Sequence, residues 1–248
     1  MSSSQIRKLH MQISTIAVIM AMAEEAEPFI REMGLEPVEA AIDGPLPLDV
    51  YAGKAGTVDL VLIVGGKDPR HGVDCVATQP ATLAAYLAIE RFKPDLLINA
   101  GTAGGFRGRG AHIGDVYLGS GCIRFHDRRI PIPGMDAYGV GSYPVPEFKG
   151  LARALGLKRG IISTGNSLDM VPEDLERLRA NGADVKEMEA AAIAWVADLY
   201  HVPLLALKSV TDLVDTETPT QEEFLANLSL ASEALREKLT AAIAYCTA

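Results

Sequence analysis

Two carboxylates flank a methionine in the segment KEMEAAA, which begins at Lys186 and runs directly into the apolar stretch IAWVADLY. Glu187 and Glu189 are costly to bury unless each of them finds a partner. They lie about 200° apart if the segment is helical, and they share a face only if it is extended. Their position therefore indicates either a structural partner inside the fold or a role in chemistry.

Polar clusters also follow other apolar runs that read as strands. The clusters are Ala23-Glu24-Glu25-Ala26-Glu27, Gly101-Thr102-Ala103-Gly104-Gly105-Phe106, Asn166-Ser167-Leu168-Asp169-Met170 and Thr211-Asp212-Leu213-Val214-Asp215. Ligands of open α/β sheets bind beyond the carboxyl ends of the strands. We therefore expect several of these acids to converge on one edge of a sheet.

Each cluster also has a purely structural explanation, and the residues alone leave both open. Acids such as Glu24 and Glu25 can stabilise the first turn of a helix, and Asp212 can be a helix N-cap. The stretch GTAGG at 101–105 can be a tight turn, or it can present backbone N–H groups to an oxygen-rich ligand. It matches neither the dinucleotide-binding motif nor the P-loop motif.

The elements that must position these residues alternate between strand and helix. Predicted strands cover 13–22, 58–66, 95–101, 114–123, 160–165 and 202–210, and predicted helices cover 73–91, 188–200 and 219–243. Pro80 is expected to kink or divide its helix. Thr218-Pro219-Thr220-Gln221 resembles a capping box with proline at the first helical position. The stretch 124–146 is too irregular for an element, so we predict a functional loop, either a lid or an interface arm.

This alternation predicts an α/β fold of three layers, α/β/α, in which helices cover both faces of a central mixed, mostly parallel sheet. No linker or break in composition divides the chain, so residues 13–248 are expected to form one domain and residues 1–12 a flexible tail. Basic residues before the run 13–22 imitate a signal peptide. Cleavage after that run would remove the first strand, so the strand is the favoured interpretation.

Charge and composition disfavour several classes of function. The net charge is −9 and no basic stripe is present, which argues against nucleic-acid binding. No apolar run reaches the ~18 residues that cross a bilayer, so no membrane partner is expected. The three cysteines are far apart and the histidines show no metal-binding spacing. We therefore expect no metal, and a reducing, cytoplasmic location.

Several segments occur in an order that resembles a known family. They are AVIMAMAEEAEPF, NAGTAGGF, STGNSLDM, KEMEAAAIAWVADL and KSVTDLVD. Together they are similar to 5′-methylthioadenosine/S-adenosylhomocysteine nucleosidases, which have the nucleoside phosphorylase fold. GAHIGDV, FHDRRIPIP and TPTQEEFLANL resemble the plant-type methylthioadenosine nucleosidases in particular. The resemblance implies hydrolysis of methylthioadenosine to adenine and 5-methylthioribose, in methionine salvage, without a cofactor.

The resemblance also implies roles for three acids. The transition state resembles an oxocarbenium ion, as in sugar hydrolysis. Asp212 matches the acid that protonates adenine at N7, for which its pKa should be raised. Glu25 matches the base that deprotonates the attacking water. Glu189 matches the carboxylate that holds the ribose hydroxyls and stabilises the cationic ring, whereas Glu187 is expected to face elsewhere.

The remaining positions carry over from the family with less detail. Thr102 matches a contact beside the catalytic water, Leu168 matches a residue whose backbone meets the edge of adenine, and Met188 should pack under the ribose. Lys186 and Glu187 complete the predicted substrate-binding set. Lys208 replaces the arginine of bacterial relatives and is expected to orient Asp212 or Glu189 by ion pairing.

Two other functions remain as alternatives. A purine nucleoside phosphorylase would need arginines for phosphate, but the first strand ends in AEEAE, which would repel phosphate. A non-catalytic nucleoside-binding or storage relative should have lost one of the three acids. The expected partner is a small nucleoside, with methylthioadenosine preferred and S-adenosylhomocysteine left open. The resemblance further implies a homodimer, in which the loop 124–146 of the partner subunit helps to form the alkylthio pocket.

Overall fold

The computed structural model of the protein describes residues 13–39, 41–42 and 45–248. The tail predicted over 1–12 lies outside the described residues. The strands are β1 (Thr15–Met20), β2 (Glu36–Pro37), β3 (Asp49–Ala55), β4 (Val58–Val64), β5 (Leu96–Gly105), β6 (Val116–Gly119), β7 (Cys122–Phe125), β8 (Tyr143–Pro144), β9 (Lys158–Gly160), β10 (Ile162–Thr164), β11 (Val185–Glu187) and β12 (Leu204–Leu213). The helices are α1 (Ala23–Met33), α2 (Thr78–Phe92), α3 (Met135–Val140), α4 (Lys149–Leu155), α5 (Pro172–Asn181), α6 (Ala190–Tyr200) and α7 (Thr220–Thr247).

The strands form a mixed sheet that branches at β5. Its main path runs in the order β2-β3-β4-β1-β5-β11-β10-β7-β8, while β12 pairs with β5 and β6, and β6 pairs with β9. The first half of β5 is parallel to β1, and its second half is antiparallel to β11. On its other side β5 is parallel to β12 along most of its length. The carboxyl ends of β1, β5 and β12 therefore lie close together, and β11 reaches the same place from the opposite direction.

Helices cover both faces of this sheet, as predicted. Alternate residues of β1 belong to different cores, because successive side chains of a strand point to opposite faces. Ala17 and Ile19 pack in the core that contains the alanines of α2 and α6. Ile16, Val18 and Met20 pack in the core that contains residues of α1, α4 and α7. The apolar run at 13–22 is thus a central strand that is buried on both faces, which explains its lack of polar alternation.

The strand predicted over 95–101 is longer than expected, and the interpretation of GTAGG as a turn is wrong. Residues 101–105 continue β5, where they pair with β12 on one side and with β11 on the other. Their small side chains suit this position. A Cβ on Gly104 would lie 2.6 Å from Asp212 Oδ2 and 2.4 Å from Val214 Cγ1.

Two predictions about helix starts are also wrong. The helix expected over 73–91 begins at Thr78, so Pro80 lies in its first turn, where a missing N–H leaves no helical hydrogen bond unmade. It therefore neither kinks nor divides the helix. The capping box before α7 does not form, because Pro219 itself occupies the N-cap position and no side chain caps the helix. Glu222 and Glu223 do lie in the first turn, as expected.

Two predicted segments divide differently in the structure. The strand expected over 114–123 is two strands, β6 and β7, separated by a turn in which Gly121 has a φ of 73°. The stretch 124–146 was expected to contain no element, but it includes the short helix α3 and the strand β8. No helix in the described part of the chain is both long and apolar enough to cross a membrane.

Candidate active site

A cavity of about 380 Å³ opens where β1, β5 and β12 end. It is lined by Ala21, Met22, Glu25, Val73, Asp74, Val76, Thr102, Ala103, Gly104, Leu168, Lys186, Glu187, Met188, Glu189, Thr211, Asp212 and Phe224. These residues include every site residue that the sequence predicted. The expectation that the acids converge on one edge of the sheet is met at this cavity.

Glu25 reaches the cavity from the first turn of α1. Its side chain is buried, whereas Glu24 and Glu27 on the same helix are exposed. One carboxylate oxygen, Oε1, accepts hydrogen bonds from the backbone N–H of Thr102 at 2.8 Å and from the Thr102 hydroxyl at 2.6 Å. Two hydrogen bonds from a residue of β5 therefore fix the orientation of the carboxylate and hold α1 against that strand.

Glu187 ends β11 and binds the start of α6. Its Oε2 accepts the backbone N–H groups of Glu189 at 3.0 Å and Ala190 at 2.9 Å, and it lies 2.8 Å from Lys208 Nζ. Its Oε1 accepts the hydroxyl of Thr164. Burial alone would raise the pKa of this carboxyl, but Lys208 and these donors outweigh burial and lower it. Glu187 borders the cavity, but its oxygens are occupied by the protein itself.

Glu189 occupies the N-cap position of α6 and has fewer donors. Its Oε1 accepts the backbone N–H of Ala77 at 2.9 Å, and its Oε2 lies 3.9 Å from Lys208 Nζ. Burial raises the pKa of Glu189 to about 7, against the attraction of Lys208 and with a further contribution from Glu187. The two glutamates of KEME thus have pKa values shifted in opposite directions.

Lys208 lies on β12 beneath both glutamates and is 1% exposed. Burial would lower the pKa of its amine, but Glu187 and Glu189 outweigh burial and raise it. The sequence predicted that Lys208 orients Asp212 or Glu189. Among the described residues, its ion pairs are with Glu187 and Glu189. The closer of the two pairs, with Glu187, was not expected.

Asp212 lies in an irregular stretch of β12. The pairing with β5 shifts register between Val210 and Asp212, so Thr211 is an additional residue, as in a β-bulge. The N-cap alternative is therefore wrong, because Asp212 is within a strand and α7 begins later, at Thr220. Two residues of α7 support the bulge: Asn227 Nδ2 donates to the Thr211 carbonyl at 3.0 Å, and Glu223 Oε2 accepts the N–H of Leu213 at 2.7 Å.

Asp212 is 2% exposed, and its carboxylate oxygen Oδ1 accepts a hydrogen bond from the Thr211 hydroxyl at 2.7 Å. Burial raises the pKa of Asp212, and Glu223 raises it further, while Thr211 and Lys186 act in the opposite direction. Asp212 is thus a carboxyl that tends to retain its proton at a pH where exposed aspartates have lost theirs.

Lys186, on β11, holds the loop after β10. Its Nζ donates to the carbonyls of Ser167 at 2.9 Å and Leu168 at 2.7 Å. Leu168 borders the cavity with a side chain that is 37% exposed. Burial lowers the pKa of the Lys186 amine. Within the described residues, no group of three histidine, cysteine or acidic side chains could hold a metal ion.

Sequence reasoning missed several lining residues. Val73 and Val76 precede α2 and are exposed large apolar side chains in the structure, whereas the sequence placed them inside a helix. Asp74, between them, also borders the cavity. Phe224 projects from the first turns of α7. The sequence carries no signal for these residues, because the exposure of a side chain and its distance from a cavity are not visible in a sequence.

Comparison with known proteins gives consistent results. A sequence model described as the phosphorylase superfamily matches residues 15–244. A 5′-methylthioadenosine/S-adenosylhomocysteine nucleosidase of Arabidopsis thaliana is 47% identical over 240 residues, covering 94% of this chain and 92% of the relative. A 5′-methylthioadenosine nucleosidase of Arabidopsis thaliana is 44% identical over 234 residues, covering 94% of this chain and 87% of the relative. The solved apo structure of Arabidopsis thaliana 5′-methylthioadenosine nucleosidase has a TM-score of 0.92 at 43% identity, covering 94% of this chain and 96% of that chain.

Proposed function

Because this chain belongs to the phosphorylase superfamily and, within it, to the 5′-methylthioadenosine/S-adenosylhomocysteine nucleosidases, we propose that it hydrolyses 5′-methylthioadenosine to adenine and 5-methylthioribose. In this reaction, a step of methionine salvage, water attacks the anomeric carbon and the bond to adenine N9 breaks. The observation that carries the proposal is the meeting of Glu25, Glu189 and Asp212 at one cavity, each with a different set of neighbours.

Asp212 is the proposed general acid. Adenine leaves poorly as an anion, so a proton must reach its N7 as the glycosidic bond breaks. A carboxyl supplies that proton only if it is still protonated near neutral pH, and burial of Asp212 raises its pKa in the required direction. The β-bulge at Thr211 supports this role, because it directs the carboxyl of a strand residue toward the cavity.

Glu25 is the proposed general base. Its Oε1 is held by two donors from Thr102, so the hydrogen bonds fix the direction of the carboxylate. Oε2 is then the oxygen that receives the proton from the attacking water. Thr102 serves as the contact that positions the base beside this water.

Glu189 is the proposed ribose-binding carboxylate. In its ionised form it accepts the ribose hydroxyls and stabilises the positive charge that develops on the sugar ring. Met188 packs beneath the ribose, and Leu168 meets the edge of adenine. Glu187 contributes indirectly, because it neutralises Lys208 and caps α6 at the residue next to Glu189.

The apolar residues missed by sequence reasoning suit the alkylthio end of the substrate. Val73, Val76 and Phe224 border the cavity alongside Met22. A methylthio group is small and apolar, so we assign methylthioadenosine as the preferred substrate. The relatives differ in their named substrates, since one includes S-adenosylhomocysteine and the other does not.

We further propose that residues 13–248 act as one domain, and that the protein works as a cytoplasmic homodimer. The outer faces of α2 and α6 support the dimer, because they expose the large apolar side chains Tyr86, Trp195 and Leu199. Light scattering of the purified protein should give twice the mass of the chain. A monomer that is fully active would contradict the dimer and leave the nucleosidase proposal unaffected.

The test of the function is adenine release from methylthioadenosine, measured with and without phosphate. We expect the same rate in both conditions and free 5-methylthioribose as the sugar product. A requirement for phosphate, with methylthioribose 1-phosphate as product, would replace hydrolysis by phosphorolysis. Binding of methylthioadenosine without any adenine release would favour a nucleoside-binding protein instead.

A further inference from the structure

Three residues on adjacent strands form a row across the floor of the cavity. In the pairing of β11 with β5, Lys186 is opposite Gly104, and in the pairing of β12 with β5, Asp212 is opposite the same glycine. All three residues border the cavity. Lys186 and Asp212 are therefore separated by a single strand whose residue at this position has no side chain.

Gly104 is needed for this arrangement. A Cβ at this position would lie 2.6 Å from Asp212 Oδ2, which is closer than carbon and oxygen atoms approach without a bond. The Asp212 carboxyl therefore extends over β5 toward the β11 side, in the direction of Lys186. A side chain larger than hydrogen at 104 would both displace the carboxyl and separate it from the lysine.

The bonds of Lys186 differ from those of the other buried lysine. Its two hydrogen bonds go to the main-chain carbonyls of Ser167 and Leu168, which carry no formal charge. Lys208 instead has a carboxylate 2.8 Å from its Nζ. The positive charge of Lys186 is thus held in place without a carboxylate in hydrogen-bond contact among the described residues.

Several charged groups act on this pair from the surrounding elements. Lys186 is attracted by Asp212 on β12, Asp169 in the loop after β10, Asp174 on α5 and Glu187 on β11. His126, which directly follows β7, also lies near it and is kept neutral by burial, which lowers its pKa to about 4. Asp212 in turn is repelled by Glu223 on α7. Lys186 is the cation within this group that acts on Asp212.

We propose that Lys186 is a positioning residue that holds the Leu168 loop against the nucleobase and, by its charge across Gly104, helps Asp212 to release its proton to adenine. This inference rests on the proposed nucleosidase function. An acid that binds its proton too tightly is a poor donor, and burial by itself would produce such an acid. A nearby positive charge opposes that effect without taking the proton.

The experiment compares K186M, K186Q and K186R by the pH dependence of kcat/KM for methylthioadenosine. Methionine removes the charge and the donors, glutamine restores a neutral donor, and arginine retains the charge. The alkaline limb of this profile is the fall in kcat/KM at high pH. In K186M and K186Q we expect it to move to higher pH by about one unit, because loss of the cation raises the pKa of Asp212. K186R should keep the limb of the parent. In K186M, KM should also rise several-fold, because the loop loses both bonds.

K158M is the matched control. Lys158 also donates to a main-chain carbonyl and pairs with Asp115, but it does not border the cavity. An alkaline limb that stays in place in both neutral variants would overturn the inference, even if their activity falls at every pH. Loss of folding in both neutral variants would also overturn it, because Lys186 would then be a residue required for stability. Adenine release by the parent chain is measured first, so failure of the proposed function is seen separately.

Discussion

Each side of the cavity contains a buried lysine, but the two lysines have different neighbours. On the side that we assign to the sugar, Lys208 lies 2.8 Å from Glu187 and 3.9 Å from Glu189. On the side that we assign to the nucleobase, Lys186 binds two neutral carbonyls, and Asp212 is opposite it across Gly104. One lysine is thus largely neutralised by direct contact, whereas the other acts on its carboxyl from a distance.

The carboxyls differ in the same way. Glu187 accepts two backbone N–H groups, a hydroxyl and an ammonium, and its pKa is lowered although it is buried. Asp212 accepts one hydroxyl, and its pKa is raised. Because burial is similar at both sites, the number of hydrogen-bond donors and the distance to the cation decide which carboxyl is ionised. Two buried carboxyl groups can therefore differ in protonation, one of them serving as an acid and the other as an anion.

The largest effect should come from D212N, which removes the proposed proton donor to the nucleobase. Asparagine has nearly the same shape but cannot transfer a proton, so we expect kcat for methylthioadenosine to fall by roughly 10³-fold. Substrate binding, measured by calorimetry, should stay within a few-fold of the parent. Turnover at the parent rate would show that Asp212 is not the general acid, and the proposed difference between the two sides would then be wrong.

The next largest effect is expected for E25Q, which changes the proposed general base. Glutamine cannot accept the proton of the attacking water, so adenine release should fall by about 10²-fold or more. The control is E24Q, since Glu24 lies on the same turn of α1 but is exposed. E24Q should retain the activity of the parent. Equal losses in the two variants would indicate a general effect of charge at the start of α1.

Stability separates the two glutamates of KEME. E187Q leaves Lys208 buried without its closest partner, so the free energy of unfolding should fall by roughly 3 kcal/mol. E189Q should instead be more stable than the parent at pH 8, by roughly 1 to 2 kcal/mol, because burial of the ionised Glu189 is unfavourable. Activity of E189Q should nevertheless fall. Thermal and denaturant unfolding of both variants tests the difference.

The pH dependence of stability shows whether Glu189 stabilises or destabilises the folded protein. Its pKa is about 7 in the folded protein and 4.5 in the reference state, so the folded state holds the proton more tightly. The stabilisation from this proton is present below pH 4.5 and is lost as the pH rises toward 7. The gain of E189Q should therefore be large at pH 8 and nearly absent at pH 4. A gain of equal size at both pH values would exclude a titrating carboxyl as its cause.

The sequence predicted the layers and most strands, because buried strands are strongly apolar and several of them are followed by a polar cluster. It did not predict that β5 continues through GTAGG, since glycine and alanine carry little strand signal and the pairing with β11 and β12 is not local. Pro80 was misjudged for a related reason. A proline breaks a helix only in its interior, and the start of α2 at Thr78 depends on the preceding loop.

The candidate site shows the same division between local and non-local information. The acids at the strand ends could be found because their residue type and position are both visible in the sequence. The pairing of Lys208 with Glu187 could not be found, because it joins β12 to β11 across β5. The opposite pKa shifts of Glu187 and Glu189 depend on donors from Thr164, Ala77 and Lys208, which come from remote parts of the chain.

The smallest effects should come from two hydroxyls, one on each side of the cavity. T102V removes one of the two donors to Glu25 but leaves the backbone N–H, so kcat should fall only about five- to tenfold at every pH. T211V removes the hydroxyl that lowers the pKa of Asp212. Its alkaline limb in kcat/KM should therefore move upward, with little change in the rate on the plateau. If both variants changed only the rate on the plateau, the two sides would respond alike, and the hydroxyl of Thr211 would have no part in setting the pKa of Asp212.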